Sequence, residues 1–172
     1  DVEKKEAETL VGNFGVTPEK WSWSLHADDG WSTRWKEFFH PLEVGKRLVI
    51  CPSWEDYTPP SSKRVLWLDP GMAFGTGQHP TTRGTLLLLE KYLHQGDLFF
   101  DVGCGSGILS LSALLCGASF AKGIDIDPDS VTVAYENAEA NHLSSKVDFS
   151  TTPISEIEES FPIVAANIQA HI

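Results

Sequence analysis

The chain has 172 residues, 41% of them hydrophobic and 22% charged, with six tryptophans and a formal net charge of −11. This composition excludes a disordered tail, and the length supports one good core or one core plus a fragment. No apolar run approaches the length of a membrane span, no signal peptide is read at the start, and no basic face of the kind nucleic-acid binders carry is evident.

The charge is uneven. Residues 97–172 hold 11 acids and 2 bases, a balance of −9, against 13 acids and 11 bases in residues 1–96. An acidic half attracts a basic protein partner, although acidity is also ordinary for a cytosolic enzyme. Three cysteines, Cys51, Cys104 and Cys116, form an odd count with no paired spacing, which points to a reducing cytoplasm. The six histidines show no metal-ligand spacing, so no metal is expected.

Residues 1–27 open with a short helix-like stretch, then Trp21 and Trp23 alternate with serines. The piece is too short for a domain and reads as the remnant of one. Over residues 28–41, Trp31, Trp35, Phe38 and Phe39 fall at i, i+4, i+7 and i+8, one face of a linker helix that Pro41 stops. A larger, partial domain is then expected over 42–172. Arg47–Cys51 reads as a strand, a proline-rich turn follows at Thr58–Ser62, and Arg64–Leu68 reads as a second strand. The two are expected to form a hairpin flanking the ligand site.

Asp69 to Gly77 carries three glycines in seven residues from Gly71 onward, and Pro80 then opens a helix expected to reach about Leu93. A loop this glycine-rich loses entropy on ordering with little return unless a ligand is involved, so 71–79 is read as a lid, with Phe74 among the candidate ligand contacts. Thr81 and Thr82 are expected where hydroxyls and helix-terminal N–H groups meet a carboxylate.

The most informative stretch is Asp101-Val102-Gly103-Cys104-Gly105-Ser106-Gly107. Leu98–Phe100 leads in as a buried strand, and the apolar run Ile108–Cys116 follows as a helix. Glycines let a ligand lie against the peptide groups at the helix N-terminus. A second apolar stretch, Ala118–Ile124, ends at Asp125, 22 residues after Gly103. About 20 is the distance at which a βαβ unit sets an acid against a ribose diol. Two cofactor classes use such geometry. A nicotinamide dinucleotide prefers G-x-G-x-x-G, whereas this turn runs G-x-G-x-G behind an acid. Asp101 suits a cationic aminoacyl group better than a pyrophosphate. The turn thus resembles the first motif of S-adenosylmethionine-dependent methyltransferases with a Rossmann-like fold. Further on, Asp148 follows the short strand Lys146-Val147 and is placed either near an adenine or on the surface. Asn167 ends a strand, Ile163–Ala166, expected beside the first strand and at the carboxyl edge of the sheet.

Several longer words are similar to the ribosomal protein L11 methyltransferase family. They include Asp29-Gly-Trp31-Ser-Thr-Arg-Trp35-Lys36-Glu-Phe38, Val44-Gly45-Lys-Arg47-Leu48 and Pro52-Ser53-Trp54-Glu55. The set continues with Leu68-Asp69-Pro70-Gly71-Met-Ala73-Phe74-Gly75-Thr76-Gly77, His79-Pro80-Thr81-Thr82, Asp101 to Leu109, Gly123 to Pro128, and Ala166-Asn167-Ile168. They cover about residues 28–170. Gln169 and Gln78 depart from residues common in the family, at positions not read as essential. The family's small N-terminal recognition domain is expected here only as a stub, and its catalytic sheet is expected to continue past Asn167.

The resemblance implies an α/β, Rossmann-like S-adenosylmethionine-dependent methyltransferase sheet with flanking helices, C-terminally incomplete in this chain. It implies methylation of lysine ε-amines of ribosomal protein L11, with the N-terminal α-amine as a further candidate. Methylation of another protein lysine, or a non-catalytic cofactor-binding fragment, stand as alternatives. S-adenosyl-L-methionine is the implied cofactor. By motif its contacts map to Thr82, Gly103, Asp125 and Asn167, with Asp101, Gly105, Ile126 and Phe74 in support. Gly103 would lay the aminoacyl end on backbone, Asp125 would accept from both ribose hydroxyls, and Ile126 would pack on the adenine. Asn167 is the candidate catalytic residue, able to hold an amine N–H but unable to act as a base. The implied protein is cytoplasmic and monomeric, without direct nucleic-acid or membrane binding, and residues 1–172 alone are expected to methylate the ribosomal substrate little or not at all.

Overall fold

Two proline-started helices punctuate the chain. Pro80 and Pro128 each occupy the first helical position, where the missing N–H would have been unpaired anyway. Each follows a capping side chain: His79 Nδ1 accepts from the Thr81 N–H, and an Asp127 carboxylate oxygen accepts from the Asp129 N–H. The structure, a computed structural model, describes residues 39–69, 77 and 79–168. In chain order these form β1 (Leu42–Val44), β2 (Leu48–Cys51), β3 (Arg64–Trp67), α1 (Pro80–Tyr92), β4 (Leu98–Val102), α2 (Ile108–Cys116), β5 (Phe120–Ile124), α3 (Pro128–Ala140), β6 (Val147–Ser150) and β7 (Ile163–Ala166). Single 3-10 turns at Ser144–Lys146 and Ile154–Glu156 precede β6 and β7.

From Phe39 onward the chain forms one compact unit. The expected remnant at 1–27 and most of the 28–41 linker helix lie outside the described residues. Of that linker only Phe39–Pro41 is described, and it is not helical. Pro41 disfavours helical geometry at His40.

The strands build two sheets. The smaller has the order β1-β2-β3. Here the expected hairpin between Arg47–Cys51 and Arg64–Leu68 is wrong: β2 and β3 run parallel, with Leu48 opposite Arg64 and Cys51 opposite Trp67. The connection over residues 52–63 is long enough to return the chain to the starting end, which a tight hairpin turn never does. The actual hairpin joins β1 to β2 antiparallel, turning at Gly45 with φ +57°. All four residues of β2 are buried, as befits a strand partnered on both edges.

The hairpin also terminates two helices. Lys46 N–H donates to both carboxylate oxygens of Glu90, each at 2.9 Å. Arg47 donates to the carbonyls of Glu90 and Cys116, at the C-terminal ends of α1 and α2. One guanidinium thus pairs with carbonyls that the helices leave open, where a cation is favoured.

The larger sheet is parallel throughout, in the order β6-β5-β4-β7. This is the order of a doubly wound fold, in which the strand sequence reverses beside the first strand. The reversal lies between β4 and β7, and the carboxyl ends of these strands present the glycine turn and Asn167. α2 packs against β4 and β5 of this sheet, against β2 and β3 of the other, and against α1. It is buried at every position except Leu115, which is why its sequence shows no polar face. Its own Leu111 is fully buried, as are Phe99, Leu86, Leu48 and Leu66 on the elements around it. Among the described residues no helix is long and apolar enough to cross a membrane.

Candidate functional site

The glycine turn leaves β4 through three residues of positive φ, Gly103 (+74°), Gly105 (+52°) and Gly107 (+77°). Two have identifiable reasons beyond conformation. A Cβ on Gly107 would stand 3.1 Å from Ala134 Cβ and 3.2 Å from Phe149 Cζ, so α3 and β6 close against it. A Cβ on Gly103 would stand 2.3 Å from Cγ2 of Ile168, so the absence of a side chain there lets the residue after Asn167 pack directly on the turn. The N–H groups of Gly103 and Cys104 both donate to the Ile124 carbonyl, at 2.8 and 2.9 Å, which ties the turn to the end of β5.

Asp125 follows that strand end. Its Oδ2 accepts from Gly105 N–H at 2.8 Å and its Oδ1 from Asp127 N–H at 3.1 Å. The carboxylate therefore faces the glycine turn directly and is half-buried. Each oxygen keeps acceptor capacity beyond its one backbone donor. Beside it Ile126 is 84% exposed, an apolar side chain with a free flank next to the acid.

Asp101, on β4 opposite Gly123 and Ala165, is fully buried. Its Oδ2 accepts from Ser110 N–H at 3.2 Å and Ser110 Oγ at 2.9 Å. Its Oδ1 has no partner among the described residues. Burial pushes this carboxyl up to about 7; the two Ser110 donors pull the other way and the charge of Asp125 adds to the rise. The unfolded chain releases this proton near 3.9. Between those values the folded state binds more protons, so the contribution to stability is present below about pH 4 and is lost as pH rises through about 7. Asp101→Asn keeps an acceptor for Ser110 and carries no charge. Urea unfolding at pH 5 and pH 8 should show the variant gaining on the parent at the higher pH, by a few kcal/mol at most, since a tenfold difference in proton affinity is worth about 1.4 kcal/mol. An identical difference at both pH values would contradict this state of Asp101. Cys104, in the turn, is held as a thiol by its burial and by the neighbouring Asp101 and Asp125 charges.

Across the switch point, Asn167 Nδ2 donates to Thr82 Oγ1 at 3.0 Å, over a separation of 85 residues. Thr82 is buried in the first turn of α1. Two of the candidate contacts are thereby joined, and the Asn167 carbonyl oxygen has no partner among the described residues at the sheet's carboxyl edge. Thr81 is different: its N–H and hydroxyl both lie against His79 Nδ1, at 3.3 and 2.7 Å. It serves the helix cap rather than a ligand carboxylate. Asp148 does not reach the Asp125 corner. It sits mid-strand opposite Lys122, with an ion pair at 3.8 Å, two residues short of the carboxyl end of β6. Phe74 and nearly all of the expected lid over 71–79 lie outside the described residues; Gly77 does not, and it packs where a Cβ would meet Ile50 and Ile108 at 3.0 and 3.2 Å. The entry to that segment is fixed, because Asp69 accepts from both Ser53 N–H and Ser53 Oγ at 2.7 Å.

The profile of the ribosomal protein L11 methyltransferase (PrmA) family matches residues 2–172. The chain belongs to this family. Among similar ribosomal protein L11 methyltransferases, that of Geobacter metallireducens is 48% identical over 143 residues, covering 83% of this chain and 47% of its own length. That of Thermoanaerobacter pseudethanolicus is 43% identical over 171 residues, covering 99% and 54%. A crystal structure of ribosomal protein L11 methylase from Lactobacillus delbrueckii subsp. bulgaricus superposes with a TM-score of 0.71 at 35% identity, over 77% of this chain and 68% of that one. The chain spans about half the length of the curated relatives it matches.

The ribosomal protein L11 methyltransferase words divide by role in this geometry. Gly45-Lys46-Arg47 caps helices, and Ser53 with Asp69 clamps a loop entry. Asp101 to Gly107 and Asp125 come together at the carboxyl ends of β4 and β5, and Asn167 stands at the end of β7 across the switch point. Sequence reasoning missed Ser110 and two asparagines on α3. Asn137 donates to the Ser106 carbonyl at 2.9 Å, and Asn141 exchanges two bonds with the backbone of Trp67. Their only sequence signal is a pair of asparagines one turn apart in a helix that asparagine does not favour.

Proposed function

We propose that the chain supplies the cofactor site and the amine-orienting residue of an S-adenosylmethionine-dependent methyltransferase that modifies lysine ε-amines of ribosomal protein L11 in the cytoplasm. The observation that carries it is the Asn167–Thr82 hydrogen bond beside the glycine turn and Asp125. The residues present suit the cofactor. The half-buried, Cβ-free backbone of Gly103 suits its aminoacyl end, Asp125 keeps acceptor capacity for two ribose hydroxyls, and Ile126 offers an apolar flank to the adenine. A buried acid behind the turn also disfavours a pyrophosphate, which weighs against a nicotinamide dinucleotide.

When bound, the cofactor supplies an electrophilic methyl group on a sulfonium. The chain supplies position. The acceptor must arrive as a neutral amine, although a lysine in water holds its proton to roughly 10.4. The Asn167 carbonyl oxygen accepts one N–H of that amine, and the Thr82 hydroxyl holds the amide so that this oxygen faces the sheet edge. The nitrogen lone pair is thereby turned toward the methyl group. An amide has no basic lone pair for the departing proton, so Asn167 orients and does not deprotonate.

Calorimetric titration of the chain with S-adenosylhomocysteine and with NADH tests the cofactor class, with binding expected only for the first. Transfer of labelled methyl groups to ribosomal protein L11 by a protein of the relatives' full length tests the substrate. NADH binding, or no transfer to that substrate, would overturn the reading.

A further inference from the structure

Helix α3 touches both Asp125 and the glycine turn. At its start the Asp127 N–H donates to Asp125 Oδ1 at 3.1 Å, and the Asp127 carboxylate accepts from Asp129 N–H and Ser130 Oγ, each at 3.0 Å. Two turns on, Ala134 closes against Gly107. One turn further, Asn137, itself buried, donates Nδ2 to the Ser106 carbonyl at 2.9 Å. At the end of the helix, Asn141 Nδ2 donates to the carbonyls of Asn137 (2.7 Å) and Trp67 (2.6 Å), while its Oδ1 accepts from Trp67 N–H at 2.8 Å. The end of α3 is thus tied to the glycine turn by the Asn137 side chain and to the end of β3 by the Asn141 side chain, which also holds the Asn137 backbone carbonyl. From that strand the chain passes to Asp69 and its clamp on Ser53.

We propose that Asn137 is a positioning residue for the cofactor: by holding the carbonyl of the Ser106–Gly107 peptide it fixes the orientation of the turn on which the ligand lies. The inference rests on reading that turn as the S-adenosylmethionine site. A packing helix needs only the apolar contacts of Ala134 and Ala138, both of which belong to the core cluster. A buried amide aimed at a carbonyl inside the turn is a geometric constraint of another kind, since a hydrogen bond fixes direction as well as distance. Asn141 extends the constraint, so that the turn and β3 keep one register.

The test measures S-adenosylhomocysteine affinity by calorimetry in the full natural chain and in Asn137→Asp and Asn137→Ala, at a temperature where circular dichroism shows each folded. The aspartate keeps the shape and removes the donor. Affinity is expected to fall about tenfold in both, the scale of one buried hydrogen bond, with faster amide exchange at 103–107. A purely structural role would lower the melting temperature and leave the affinity of the folded variants unchanged, and values within twofold of the parent would overturn the proposal. Should neither variant fold, the parent decides by NMR. The Asn137 side-chain amide protons are expected to shift and exchange more slowly on saturation with S-adenosylhomocysteine, and unchanged signals would overturn it. Failure of the parent itself to bind S-adenosylhomocysteine would instead overturn the cofactor reading, and this inference with it.

Discussion

Asn167→Ala, in a protein of the relatives' full length, is expected to lower kcat by far more than it weakens cofactor binding. The reason is where the side chain acts. Its Nδ2 is spent on Thr82, and in the proposed reading its remaining oxygen meets the amine N–H only when the acceptor is aligned with the methyl group. An interaction made mainly in the transition state appears in kcat. On the scale of a misplaced reacting group the loss is about a hundredfold, while the dissociation constant for S-adenosylhomocysteine changes only a few fold. Thr82→Val keeps Asn167 and removes its anchor, so it should reproduce part of the kcat loss. Rapid single-turnover measurements with a saturating ribosomal substrate read the step directly. Equal losses in kcat and in cofactor affinity would assign Asn167 to binding alone.

Asp125→Ala is expected to do the reverse. Two ribose hydroxyls donating to one carboxylate are worth roughly 1.5–3 kcal/mol each before compensation by water. Affinity for S-adenosylmethionine should fall by about tenfold to several hundredfold with the fold intact. The structure adds a second source of loss, because the same carboxylate holds the N–H groups of Gly105 and Asp127. Asp125→Asn separates the two. Its amide retains one acceptor oxygen and its net charge is gone, so its affinity should lie between those of the parent and the alanine variant. Calorimetry on all three checks the order, and an unchanged affinity in Asp125→Ala would remove the ribose assignment.

The stretch from β4 to Asp125 was legible in the sequence because every signal in it is local. An apolar run, a glycine turn and a helix without charged residues sit side by side, and the observed α2 begins and ends at Ile108 and Cys116 as read. β7 was equally clear, as was its place beside β4. The relative direction of β2 and β3 was not, because pairing direction is decided by the path of residues 52–63 rather than by either strand. β1 is three residues long and too short to show alternation. Asn137 and Asn141 were hidden for a related reason: their partners are backbone groups 31 and 74 positions away, and a carbonyl leaves no mark in an amino-acid sequence. Thr81 misled because a hydroxyl at a helix start suits a ligand and a histidine cap equally well.

The position of β7 has a consequence for the order in which the molecule comes into being. β4, β5 and β6 are consecutive in the chain and adjacent in the sheet, whereas β7 returns to the far side of β4. A ribosome releases the chain from its N-terminus, and nearby partners associate before distant ones. The glycine turn, Asp125 and the α3 asparagines therefore emerge ahead of Asn167. The 85-residue reach between Asn167 and Thr82 makes that contact one of the late closures in the nascent protein. The groups suited to a nucleoside are assembled early, and the group suited to an amine arrives only once the scaffold that aims it already exists.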